Sequence, residues 1–143
     1  KKYIDKFDKE ILDRKEGALP LMALPYKMFV GGPIGKGDNW MSWVHIQDVA
    51  SSLFYAIENN IQGPFNIVAP DPRRMDEFSK TLAKVLNKPH YFPVPAFALR
   101  LVLGEKSQLV LEGQKVVPDV LIANGFSFKY PELTSALTNI YSQ

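Results

Sequence analysis

No cysteine occurs among the 143 residues, which excludes disulfides, thiolate-ligated zinc, iron–sulfur clusters and a cysteine nucleophile. Histidine is nearly as scarce. His45 and His90 stand far apart and the carboxylates do not cluster at ligand spacing, so no metal site is assigned. Charge of one sign is not in excess either: seventeen Lys and Arg against fifteen Asp and Glu leave +2 with no concentrated basic patch, and no nucleic-acid partner is expected. Charge, Gly or Pro interrupts every apolar run before the roughly 18 residues a bilayer span needs, so no membrane partner is expected. Lys1 to Glu10 lack the apolar centre of a secretory signal, and no Asn-x-Ser/Thr acceptor occurs. Together these absences point to a reducing, cytoplasmic setting. The chain opens without Met and without a turn or cap signal, as a piece of a longer protein would.

What is present is 46% hydrophobic and 22% charged, the balance of a soluble domain that buries one core. Glu10 to Asp13 reads as a strand end, and Ala18 to Val30, with Pro20 and Pro25, as a broken helix. A glycine-rich loop follows from Gly31 to Asn39, then an aromatic and β-branched strand from Trp40 to Ile46. Asp48 is placed to cap a helix whose stripe of Val49, Leu53 and Ile57, widened by Ala50 and Phe54, should face the core. Asn59-Asn60 and Gly63-Pro64 end it. Phe65 to Ala69 reads as a short strand, and Met75 to Leu86 as a second amphipathic helix. Its Lys80, Lys84 and Lys88 row reads as a solvated face rather than an anion track.

Phe97 to Leu103 predicts a helix covered by core or partner, and Lys106 to Leu111 a short helix broken at Gly113. Gln114 to Pro118 reads as extended chain. Asn124-Gly125 marks a stop, and Pro131 opens a last helix with Leu133, Ala136, Leu137 and Ile140 on one face. The alternation of helix and strand gives an α/β fold class.

The catalytic vocabulary is thin. Gly35-Lys36-Gly37-Asp38-Asn39-Trp40 puts Trp at the third glycine position of a dinucleotide fingerprint and precedes a strand, so a turn-forming loop is the better reading. None of the six tyrosines has Lys four residues later, and Gly-x-Ser-x-Gly is absent. Ser42, His45 and Asp48 lie close in sequence, but alternation along a strand separates the first two and capping explains the third. Catalytic, cofactor-binding and metal residues are therefore not assigned. Met41, Trp43 and His45 are the substrate-cleft candidates, since open α/β sheets bind ligands near strand ends. Trp40 and Trp43 could wall an aromatic slot, against the commoner use of strand aromatics as core.

Eight blocks occur in order: Glu16 to Pro20, Gly31 to Gly37, Met41 to Asp48, Gly63 to Pro70, Pro93 to Arg100, Leu103 to Glu105, Gly113 to Pro118, and Gly125 to Pro131. Together they resemble the C-terminal half of the atypical extended short-chain dehydrogenase/reductases, in the nucleoside-diphosphate-sugar-epimerase-like, cell-division-inhibitor-type group. The stretch from Tyr91 resembles that group's C-terminal domain of unknown function. The resemblance implies a C-terminal fragment of a Rossmann-type fold, with residues 1–90 the distal, substrate-side part of the epimerase-like domain and 91–143 a small helical domain. It also implies NAD or NADP in the intact protein, with none held by this chain, and a small-molecule substrate of unidentified structure. The family's glycine fingerprint and its Ser/Thr, Tyr and Lys catalytic positions would lie upstream. Sugar-nucleotide epimerases carry a phosphate-binding Arg where this chain has Met41. A thioether cannot make a bidentate charge-assisted contact, so a nucleotide-sugar substrate is not expected. The alternative function is a protein-interaction module using the apolar C-terminal helices, with homo-oligomers formed through surface that truncation exposes.

Overall fold

The computed structural model describes residues 10–104 and 114–142. The helix expected over Lys106 to Leu111, with its break at Gly113, lies outside them. Strand β1 (Glu10–Leu12) leads to helix α1 (Leu19–Lys27), then strands β2 (Trp40–Met41) and β3 (Trp43–His45), helix α2 (Ile46–Glu58), strand β4 (Arg73–Arg74) and helices α3 (Met75–Leu86), α4 (Ala96–Leu103), α5 (Asp119–Ala123) and α6 (Leu133–Tyr141). This is a mixed α/β fold with short strands. β1 pairs in parallel with β3, Ile11 opposite Val44; β2 pairs antiparallel with β4, Met41 opposite Arg73.

Side-chain alternation gives the β1–β3 sheet two covered faces. Leu12 and Trp43 point into the main core with Leu19, Met22, Phe78, Leu82 and Leu137 of α1, α3 and α6. Ile11 and Val44 point the other way, into a smaller cluster with Val49, Ile67 and Leu121. The main core draws on both sides of position 90, because Leu99, Leu103, Leu133 and Ile140 share it with Leu12 and Met75.

The expected single strand from Trp40 to Ile46 is divided at Ser42. Its hydroxyl donates to the Gln114 carbonyl at 2.8 Å and accepts the Val116 amide at 2.9 Å, and the chain changes sheet there. Ile46 already belongs to α2. Phe65 to Ala69 is not a strand: Ala69 donates one backbone bond to the Trp43 carbonyl at 2.8 Å and no ladder develops. α1 is one helix, not two pieces. Pro20 sits in its first turn, where an N–H has no helical partner anyway, and Pro25 falls near its end.

The larger correction concerns α2. Its buried side carries Asp48, Ser52 and Ala56, whereas Leu53, Phe54 and Ile57 of the expected core stripe are exposed by 48%, 71% and 78%. The last helix follows expectation, burying Leu133, Ala136, Leu137 and Ile140.

Candidate functional site

His45 ends β3 and opens α2. Its backbone is extended and its Nδ1 accepts the Gln47 amide at 3.0 Å, satisfying an N–H that the helix's first turn leaves without a partner. A nitrogen accepting from an N–H carries no proton itself. The ring is therefore neutral, with its proton on Nε2 donated to Asn139 Oδ1 at 2.9 Å. It stacks on Tyr130, centroids 4.1 Å apart. Burial holds its pKa below the usual histidine value, against the raising influence of the Asn139 bond and of Asp48.

The cap is thus His45 and not Asp48. Asp48 lies in the first turn of α2, buried, and its two oxygens accept the Lys129 and Tyr130 amides, each at 2.9 Å. It clasps the approach to α6 against α2. Asp71 makes a second clasp: its carbonyl accepts the Trp43 indole N–H at 2.7 Å, one carboxylate oxygen pairs with Arg73 Nε at 2.8 Å, and the other accepts the Leu133 amide at 3.0 Å. That amide opens α6, so a distant carboxylate caps it.

Met41, Trp43 and His45, expected along a substrate cleft, are each 1% exposed or less. Met41 and Trp43 lie in the main core and His45 is enclosed by Asn139 and Tyr130. Residues 43 and 45 share one strand face, and α6 covers it. Ser42, His45 and Asp48 are each committed to a different segment, 114–116, Asn139 with Gln47, and 129–130, so the trio is no nucleophile–base–acid chain. His90 meets Tyr26 Oη through Nδ1 at 2.8 Å, and burial lowers its pKa, as does Lys80. Burial pushes the Tyr26 hydroxyl up to about 12. Among the described residues no group of three His, Asp or Glu is placed to hold a metal ion, and no helix is long and apolar enough to cross a membrane.

The glycine loop, the nearest match in the chain to a dinucleotide fingerprint, can be tested for room beside its glycines. A Cβ on Gly31 would lie 2.3 Å from the Tyr26 ring, one on Gly32 2.3 Å from the Phe92 backbone, and one on Gly37 2.9 Å from Asp76. The space that a pyrophosphate needs beside a glycine is filled by the protein's own atoms. Tyr91 and Phe92 amides also bond the Gly31 carbonyl, zipping the loop onto the 91–94 segment. At these three glycines the described residues do not fit the pyrophosphate of a nicotinamide dinucleotide.

A cluster of one half-buried ring and two exposed cations is not legible in the sequence. Trp40 of β2 has the Arg74 guanidinium 4.6 Å and the Lys115 ammonium 5.0 Å from its ring centroid, brought together by β4 and by the Ser42 clasp. A ring with two cations can meet an anionic or planar group. The β2–β4 pairing and the Ser42 clasp assemble it, whereas an aromatic slot of Trp40 with Trp43 does not form, because the Trp43 indole is buried.

Residues 94–140 match the domain of unknown function DUF1731. The chain is 48% identical over 127 residues to the epimerase family protein YfhF of Bacillus subtilis, covering 88% of this chain and 42% of YfhF. Over nearly its whole length the chain is thus similar to part of the epimerase family proteins. The human epimerase family protein SDR39U1 (isoform 2), crystallised with NADPH, superposes with a TM-score of 0.85 at 36% identity, covering 94% of this chain and 46% of that one. A nucleoside-diphosphate sugar epimerase from Corynebacterium glutamicum gives a TM-score of 0.66 at 26% identity, over 90% of this chain and 24% of that one. The chain thus spans less than half the length of the epimerase family proteins it matches.

Proposed function

We propose that this chain is the substrate-side part of an NAD(P)-dependent epimerase-like oxidoreductase and is not catalytic alone. One contrast carries the reading: 94% of the chain superposes on less than half of a human relative crystallised with NADPH, while its own glycine loop is packed with Tyr26, Phe92 and Asp76. In the whole protein, NAD or NADP is held by polypeptide outside the matched part. The small-molecule substrate lies against the β2–β4 edge, where Trp40, Arg74 and Lys115 offer a ring and two cations. Met41, Trp43 and His45 serve as the packed wall behind that edge. A second reading, a protein-interaction module through α4, is favoured by the 68% and 82% exposure of Phe97 and Leu101.

The test is thermal unfolding with and without NADPH. At a ligand concentration of 100 times Kd, full-length YfhF gains about 2.7 kcal/mol and its Tm rises; the 143-residue chain shows no shift. A shift in the chain refutes its incompetence, and none in YfhF refutes the cofactor assignment.

A further inference from the structure

We propose that the exposed face of α2, centred on Leu53, Phe54 and Ile57, is the docking surface for the polypeptide that makes up the rest of the relatives' length. The proposal rests on the reading above. Its evidence is the inverted amphipathicity of α2. Ile46, Ala50, Leu53, Phe54 and Ile57 recur at three- and four-residue intervals and form one stripe, yet the helix turns Asp48, Ser52 and Ala56 inward instead. Phe54 and Ile57, 71% and 78% exposed, then form a contiguous apolar surface of the kind that marks an interaction site.

Three observations choose the occupant. Residues 46–58 contain no Lys or Arg, so the face lacks the cations that hold an amphipathic helix on an anionic membrane. Among the described residues, β1 and β3 form a parallel sheet of only two strands; all-parallel sheets are ordinarily larger and covered by helices on both faces. The relatives supply the material for such a sheet, since 58% of YfhF lies beyond the part that this chain covers. A large, mainly apolar partner of that origin fits the stripe. The exposed side of α4 differs in carrying Arg100 beside Phe97 and Leu101.

The experiment co-expresses this chain with the part of YfhF outside the matched region and measures the complex by sedimentation velocity, alongside the double variant Phe54→Asp, Ile57→Lys. Wild type forms a 1:1 heterodimer, and the variant, with an unchanged Tm of its own, binds about thirtyfold more weakly, the loss expected of central anchors. Equal binding by the variant overturns the proposal, as does self-association of wild type through α2 without a heterodimer. Should the YfhF part not fold separately, Asp and Lys placed in full-length YfhF at the positions aligned with Phe54 and Ile57 lower its Tm by several degrees; an unchanged Tm overturns the proposal. The two readings fail separately. A heterodimer that depends on α2 but binds no NADPH contradicts the function and leaves the docking face intact, whereas NADPH binding with equal variant affinity does the reverse.

Discussion

At position 45 an imidazole stands where Ser, Thr, Asp or Asn usually caps a helix, and the consequence is a stability that depends on pH. Charging the ring puts a proton on Nδ1, which then faces the Gln47 N–H instead of accepting from it, at the positive end of the helix dipole. The folded-state pKa lies below the unfolded value near 6.5 because burial disfavours the charged ring, and His90 is lowered for the same first reason. Between the two values the unfolded chain binds more protons, so stability rises with pH there. The stabilisation is complete above about pH 6.5 and disappears as pH falls through the folded-state pKa values. Urea titrations of wild type and of the His45→Gln, His90→Gln variant should show a decline from pH 7 to pH 5 that is markedly shallower in the variant; parallel profiles would contradict this. His45 and Asp48 were legible as residues of interest, but which of them caps was not. Both are acceptors near the helix start, and the choice depends on where Lys129, Tyr130 and Asn139 come to rest.

Among the elements, a common ending links four helices. After α1, α2, α3 and α5, a residue in the left-handed region, Phe29, Asn60, Asn87 or Gly125, donates back to the third residue before it, and the next residue to the fifth before it. Val30 bonds the Pro25 carbonyl at 2.8 Å and Lys88 the Ala83 carbonyl at 3.0 Å, for example. This is the Schellman pattern, which favours Gly or Asn at the left-handed position. Phe29 is the exception, at φ 65°, and its ring is 57% exposed with Lys88 Nζ 4.0 Å from its centroid. Removing a Cβ from that conformation relieves roughly 1 kcal/mol. Phe29→Gly should therefore raise the unfolding free energy by up to about that amount in denaturant titration, and a loss of stability would mean that the Lys88 contact outweighs the strain. The stops at Asn60 and Gly125 were legible because Asn and Gly advertise them. The one at Phe29 was not. Periodicity likewise identified α3 and α6, whose apolar faces meet partners within the chain, and misjudged α2, where Val49 joins the smaller core but Leu53, Phe54 and Ile57 stay exposed. Period gives an apolar face without saying what it faces.

For the whole molecule, the main core is shared by β1, β3, α1, α3, α4 and α6, so these segments fold around one interior although the relatives are more than twice as long. The likeness to epimerase family proteins was legible in ordered blocks of sequence, and the α/β class in the alternation of helix and strand. The Trp40, Arg74 and Lys115 cluster was not, because its members come from separate stretches that only the β2–β4 pairing and the Ser42 clasp bring together. On the proposed function, this chain contributes structure around a substrate while another stretch of polypeptide holds the coenzyme. Following NADPH fluorescence during titration of the purified 143-residue chain, alone and then with the remaining part of YfhF, tests it most directly. The chain alone should show no saturable binding and the assembled pair should bind one molecule; stoichiometric, saturable binding to the chain alone would contradict the proposed function.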